Sequence, residues 1–195
     1  MTILRIEEMT YGVGDLVQCI EFLETWGLQK IGTSSNRTSL KTYENQLIHL
    51  QSMDDPSLPP SYEDGPTMRE VIWGVNNQTS LNEIEMELSK DREVIKDDDG
   101  TLHSYDDRKN YLGFKIADIV ETDLHEEDYN FIENIDRMNE RNWPEDKVKP
   151  VRIGHLVYSI EAKNYELASA FYRDRLNFRI SDQTKDGGTF LRADG

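Results

Sequence analysis

His155, set in the middle of the apolar run "VRIGHLVYSI", is the strongest candidate for chemistry in this sequence, because an imidazole at a fixed strand position can ligate a divalent metal or move a proton. Alternation places it on the face of Val151, Ile153 and Val157, where period alone favours a hydrogen-bonded core histidine over a ligand. His49 in "NQLIHLQS" and Glu70 in "MREVIWGV" could share a metal cup, but two ligands are fewer than such an ion needs. His103, between a glycine turn and "SYDD", and His125, in an acidic stretch, read as solvated surface residues. Asp97, Asp98, Asp99 and Gly100 invite calcium, yet they lack the alternating ligands and distant glutamate of an EF-hand, so a turn is expected. Cys19 is the only cysteine, which excludes an internal disulfide and a multi-thiolate zinc site; packing is its expected role. "YGVGDL" lacks the third glycine of a dinucleotide fingerprint.

The elements that must position these residues repeat along the chain. "LRIEEMTYGV" alternates as a strand with Met9, Tyr11 and Val13 on one face, and Asp15 can cap a helix whose stripe is Leu16, Ile20 and Leu23 and whose end is Gly27. "LQKIGTS", "TSLKTYE" and "NQLIHLQS" then read as an antiparallel meander, completing a βαβββ unit. Residues 53–67 form a Pro/Asp/Ser-rich loop, after which the order recurs. "MREVIWGV" is a strand; "TSLNEIEMELSKD" is a helix with a capping box at Ser80 and Glu83; "REVIKD", "TLHSYDD" and "NYLGFKI" are strands. The fold class is α+β, with one complete pair of βαβββ units over 1–117. Residues 118–150 form an acidic linker with a short helix carrying Phe131, Ile135 and Met138. A third unit starts over 151–195, with strand "VRIGHLVYSI", helix "YELASAFYRDRL" and strands "NFRISDQ" and "TFLRADG". Aligning the first and third units sets Tyr11 opposite His155.

A net charge of -16 disfavours nucleic acid and anionic membrane as partners. The N-terminus lacks the basic and apolar regions of a secretion signal, and no window approaches a membrane span, so the expected location is the cytoplasm.

At "RIGHLVYSI" followed by "ASAFYRDRLNFRISDQTKDGGTFLRADG" the sequence resembles the vicinal oxygen chelate superfamily, and within it the type I extradiol ring-cleaving dioxygenases. The resemblance rests on Gly154-His155, Phe171-Tyr172, Leu176, Phe178, Ser181-Asp182 and Phe190-Leu191-Arg192. It implies paired βαβββ units, the first pair metal-free and the second holding Fe(II), with His155 as first iron ligand. The remaining ligands and the acid/base histidine are expected beyond Gly195. The implied partners are a small catechol-type aromatic diol, O2 and further copies of the chain in a homo-oligomer, and these 195 residues alone are expected to be inactive. The alternatives are a metal-free small-molecule binding protein of the same superfamily, like the bleomycin-resistance proteins, and a glyoxalase-type metal lyase or isomerase.

Overall fold

The computed structural model describes residues 1–34, 36–122, 149–185 and 188–193. Among the described residues ten strands and three α-helices occur, and those of the first two units follow the expected order. The first unit comprises β1 (Ile3–Val13), α1 (Leu16–Trp26), β2 (Gln29–Thr33), β3 (Arg37–Lys41) and β4 (Leu47–Ser52). The second comprises β5 (Thr67–Val75), α2 (Gln78–Leu88), β6 (Ile95–Lys96), β7 (Leu102–Tyr105) and β8 (Tyr111–Ile116). In both, the first strand pairs in parallel with the fourth, β1 with β4 and β5 with β8. Antiparallel pairing of β1 with β5 then fuses the units into one eight-stranded sheet of order β2-β3-β4-β1-β5-β8-β7-β6. The repeat read from the sequence is therefore the repeat that folds.

Local chemistry explains the helix ends. The Asp15 carboxylate accepts from Gln18 N at 2.9 Å, and Gly27 closes α1 at φ 111°, a left-handed conformation that side chains resist. The second cap differs from expectation. Asn77, not Ser80, caps α2, its Oδ1 accepting from Ser80 N at 3.0 Å. Ser80 is instead buried and accepts from Thr2 N at 2.9 Å, while Glu83 pairs with the N-terminal ammonium. Two cap-forming residues stand three apart, and contact with a remote strand decides between them.

One face of the sheet carries the helices. Leu81, Ile84 and Leu88 of α2 pack on Val71, Trp73, Leu112 and Phe114; Leu16, Ile20 and Leu23 of α1 pack on Val13, Leu40 and Leu50, with Cys19 beside them as expected. The Asp97–Gly100 stretch is a turn, Asp99 accepting from Thr101 N at 2.9 Å. "REVIKD" contributes only Ile95 and Lys96 to the sheet, as its edge strand.

The third unit departs from expectation at its start. α3 (Tyr165–Ala170) runs into a π-helical turn at Phe171–Arg175, and β9 (Arg179–Gln183) pairs antiparallel with β10 (Thr189–Arg192). Residues 151–160, expected as a strand, pair with no strand among the described residues. A first strand in this fold needs a fourth strand of its own unit and the first strand of the next, and β9 and β10 pair only with each other. Two backbone bonds and one side-chain anchor replace the ladder: Tyr43 N and Glu44 N donate to Pro150 O and Val151 O at 3.0 Å, and Ile153 N donates to Gln46 Oε1 at 2.6 Å. The linker helix with Phe131, Ile135 and Met138, and His125, lie outside the described residues.

Phe171, Tyr172, Leu176 and Phe178 enter the same core as α2 and β5, with Trp73 edge-on to Phe178 at 5.2 Å. Arg175 clamps the joint from outside, bonding Asp91 through two nitrogens at 2.9 Å and Glu87 Oε1 at 3.1 Å.

Replacing the α2 cap, Asn77→Ala, is expected to lower stability in urea by about 1 kcal/mol, whereas Glu83→Gln, at an exposed ion pair, costs a few tenths. Equal losses would return the cap to Ser80 and Glu83.

Candidate functional site

The face of the sheet opposite the helices bears a polar row. His49 on β4 and Glu70 on β5 both lie beside Thr10 of β1, so the structure brings the two sequence candidates onto one line across three strands. Each is engaged elsewhere. His49 Nε2 lies 2.9 Å from Glu8 Oε2 and its Nδ1 2.8 Å from Ser39 Oγ, while Glu70 Oε1 is 2.7 Å from His103 Nδ1. Glu8 also accepts from Lys115 Nζ at 2.8 Å. Among the described residues no group of three or more His, Cys, Asp or Glu side chains is placed to hold a metal. This row is two hydrogen-bonded sets, Glu8 with His49 and Lys115, and Glu70 with His103.

His103 is thus not the solvated residue expected from sequence. Its β8 neighbour in register is Gly113, and the next strand over carries Glu70. A Cβ on Gly113 would stand 3.5 Å from His103 Nδ1 and 2.8 Å from Leu102 O. The bare position lets the imidazole reach across β8.

Charge balance on the row follows from burial. Burial alone opposes ionisation of Glu8, but hydrogen bonds from His49 and Lys115 outweigh it and hold its carboxyl down to about 2. The Glu70 hydrogen bond, against burial, raises the His103 pKa, with Asp97 adding to it. Lys115 is raised as well, burial being overcome by Glu8.

His155 lies away from this row. It is exposed, which overturns the core-histidine expectation: Val151 and Ile153 point inward, the phase changes at Gly154-His155, and Leu156 and Tyr158 are the next residues to turn in. It stands in the wall of a cavity of about 320 Å³ between the second unit and the 155–191 segment, with Tyr158, Tyr172, Phe178 and Phe190 as aromatic walls. A second cavity of about 380 Å³, bounded by Tyr11, Tyr62 and Met68, shares Arg108, Asn110, Leu156, Val157 and Tyr158 with the first. The acid in the wall of the first cavity, Asp106, is saturated. Its Oδ1 accepts from Arg108 N and Asn110 N at 2.8 and 2.9 Å; its Oδ2 accepts from Asn110 Nδ2 and Tyr172 Oη at 2.9 and 3.3 Å. Burial raises the phenol pKa of Tyr158 and Tyr172, so both stay protonated. One imidazole and one occupied carboxylate in the same wall do not make a metal site.

Sequence reasoning passed over Glu8, Lys115 and Arg108. The alternation of "RIEEMTY" puts Glu8 on the face of Thr10, a usable signal for the first. Nothing local in "YDDRKN" marks Arg108 as buried.

No protein-family model matches this sequence, and no curated protein does. Solved structures share its fold. The 2,3-dioxygenase LapB from Pseudomonas sp. KL28 superposes with a TM-score of 0.67 at 13% identity over 100% of this chain and 67% of that one. BphC, a halotolerant catechol dioxygenase, gives 0.66 at 14% over 98% and 61%. The Mn(II)-bound glyoxalase from Novosphingobium aromaticivorans gives 0.61 at 13% over 98% and 58%. The chain has the vicinal oxygen chelate fold of these structures, and it spans about three-fifths of the length of the last two of these proteins.

The polar row sets the sign of pH effects. Glu8, with its lowered pKa, adds stability above the ordinary value of 4.5 that is lost as pH falls through about 2. His103, raised, adds stability below 6.5 that is lost as pH rises through its folded value. In urea titrations Glu8→Gln should flatten the acid limb and His103→Asn the neutral limb. Variants that follow the parent in parallel at every pH would remove the row from the account.

Proposed function

We propose that this chain is the N-terminal part of an Fe(II)-dependent extradiol dioxygenase that cleaves a catechol-type ring with O2 in the cytoplasm, and that His155 is its first iron ligand. The observation that carries the reading is positional: the fold resemblance runs through the paired units into the third, and His155 stands on the segment that opens it, beside an aromatic-walled cavity. Supporting it, the ion pairs of the first pair leave His49 and Glu70 committed to other partners, as a metal-free pair requires. The domain division is 1–117, 118–150 and 151–195, and the other iron ligands belong to a unit not contained in the described residues. Alone, the 195 residues are inactive, because one imidazole cannot fix Fe(II) in a geometry open to substrate and oxygen. We further propose that the complete protein is a homo-oligomer.

A second reading has its own observation. The cavity is closed largely by aromatic and aliphatic side chains and has protonated phenols in its wall, as suits a metal-free binding protein.

The test is iron content and oxygen uptake with catechols in the product of the complete reading frame. His155→Ala is expected to lose bound iron and to lower turnover by about a hundredfold or more, in the range of a lost metal ligand or its support. An iron-replete, active variant rules out the ligand role, and ligand affinity unchanged by chelation favours the binding protein.

A further inference from the structure

Arg108, on the turn between β7 and β8, is 9% exposed and lines both cavities. Its guanidinium carbon stacks 4.3 Å from the Tyr62 ring centroid, and Nη2 donates to Tyr62 Oη. It enters no ion pair among the described residues, whereas Arg5 is neutralised by Glu7 and Glu44, Arg92 by Asp91 and Asp107, and Arg175 by Glu87 and Asp91; Arg69, also without a carboxylate, donates to the Pro59 and Met53 carbonyls and lies outside both cavity walls. Asp106, the acid two residues away, spends both oxygens on backbone amides, Asn110 and Tyr172.

A buried cation without a counter-ion is costly, and in a chain of net charge -16 it is not for want of carboxylates. The guanidinium fork offers paired donors that match a carboxylate in shape and charge. Directly beyond it the wall turns aromatic, with Tyr158, Tyr172 and Phe178 meeting at ring centroids 6.4 and 5.6 Å apart. Such a surface takes a flat ring.

We propose that the double cavity at the β7–β8 turn binds an aromatic monocarboxylate, its carboxylate on Arg108 and its ring against Tyr158, Tyr172 and Phe178. The site uses no metal; it rests on the second reading of the same cavity, as a metal-free binding site, and names its ligand class.

The test is calorimetric titration of this chain, with chelator present, against 2-naphthoate, its neutral analogue 2-naphthamide, and acetate. Naphthoate should bind one to one and at least about tenfold tighter than naphthamide, the range of a charge-assisted hydrogen bond, and acetate should not saturate. Arg108→Met should erase the preference for naphthoate and leave naphthamide affinity unchanged. Because Arg108→Met could unfold the turn, Val157→Trp serves as a second variant: Val157 is 86% exposed and borders both cavities, and the added indole should weaken both bicyclic ligands. Equal affinities for naphthoate and naphthamide, no saturable binding, or acetate competing as well as naphthoate would each overturn the proposal. Since the chelator removes metal and His155 is left unaltered, such a failure leaves the iron reading to its own test.

Discussion

Everything in this structure is hung on the antiparallel pairing of β1 with β5. Each βαβββ unit by itself ends in a first strand with one open edge, and joining the two such edges makes a single sheet. The join is not regular. Register shifts at Ile3/Arg5, Ile6/Glu8 and Thr10/Tyr11 twist β1 and let it bury residues on both faces. The helices then share one face, and the polar row is forced onto the other.

On that second face the composition of the strands decides the chemistry. Carboxylates and imidazoles meet in pairs, Glu8 with His49 and Glu70 with His103, so each charge is answered within about 3 Å. A half-satisfied network in such a place destabilises more than an apolar one, which explains why Lys115 and Ser39 complete it. Gly113 matters here too, since a Cβ there would stand 2.8 Å from the Leu102 carbonyl oxygen of the neighbouring strand.

Periodicity made much of this legible. The repeat, the cap at Asp15, the left-handed Gly27 and the stripes of α1 and α2 are local or short-range properties, and they stand in the structure as read. What escaped was set by residues far away in sequence. Asn77 rather than Ser80 caps α2 because Ser80 is claimed by Thr2, and His103 is sheltered because Glu70 lies two strands off. The inward phase of 151–160 changes because Gln46 holds Ile153 across 107 positions, an anchor no window of sequence reveals. Arg108 was illegible for the same reason: its burial depends on Tyr62 and on the segment around Tyr158.

The apolar quartet of Phe171, Tyr172, Leu176 and Phe178 gives the molecule a seam that does not follow its repeats. By sequence similarity these residues start a new unit, yet their side chains are interior to the preceding one, and Arg175 rivets the two from outside. The evolutionary building block and the cooperative block are therefore different pieces of chain. A cut placed at the repeat boundary would sever an interior rather than a hinge, leaving Trp73 and the α2 stripe open to water.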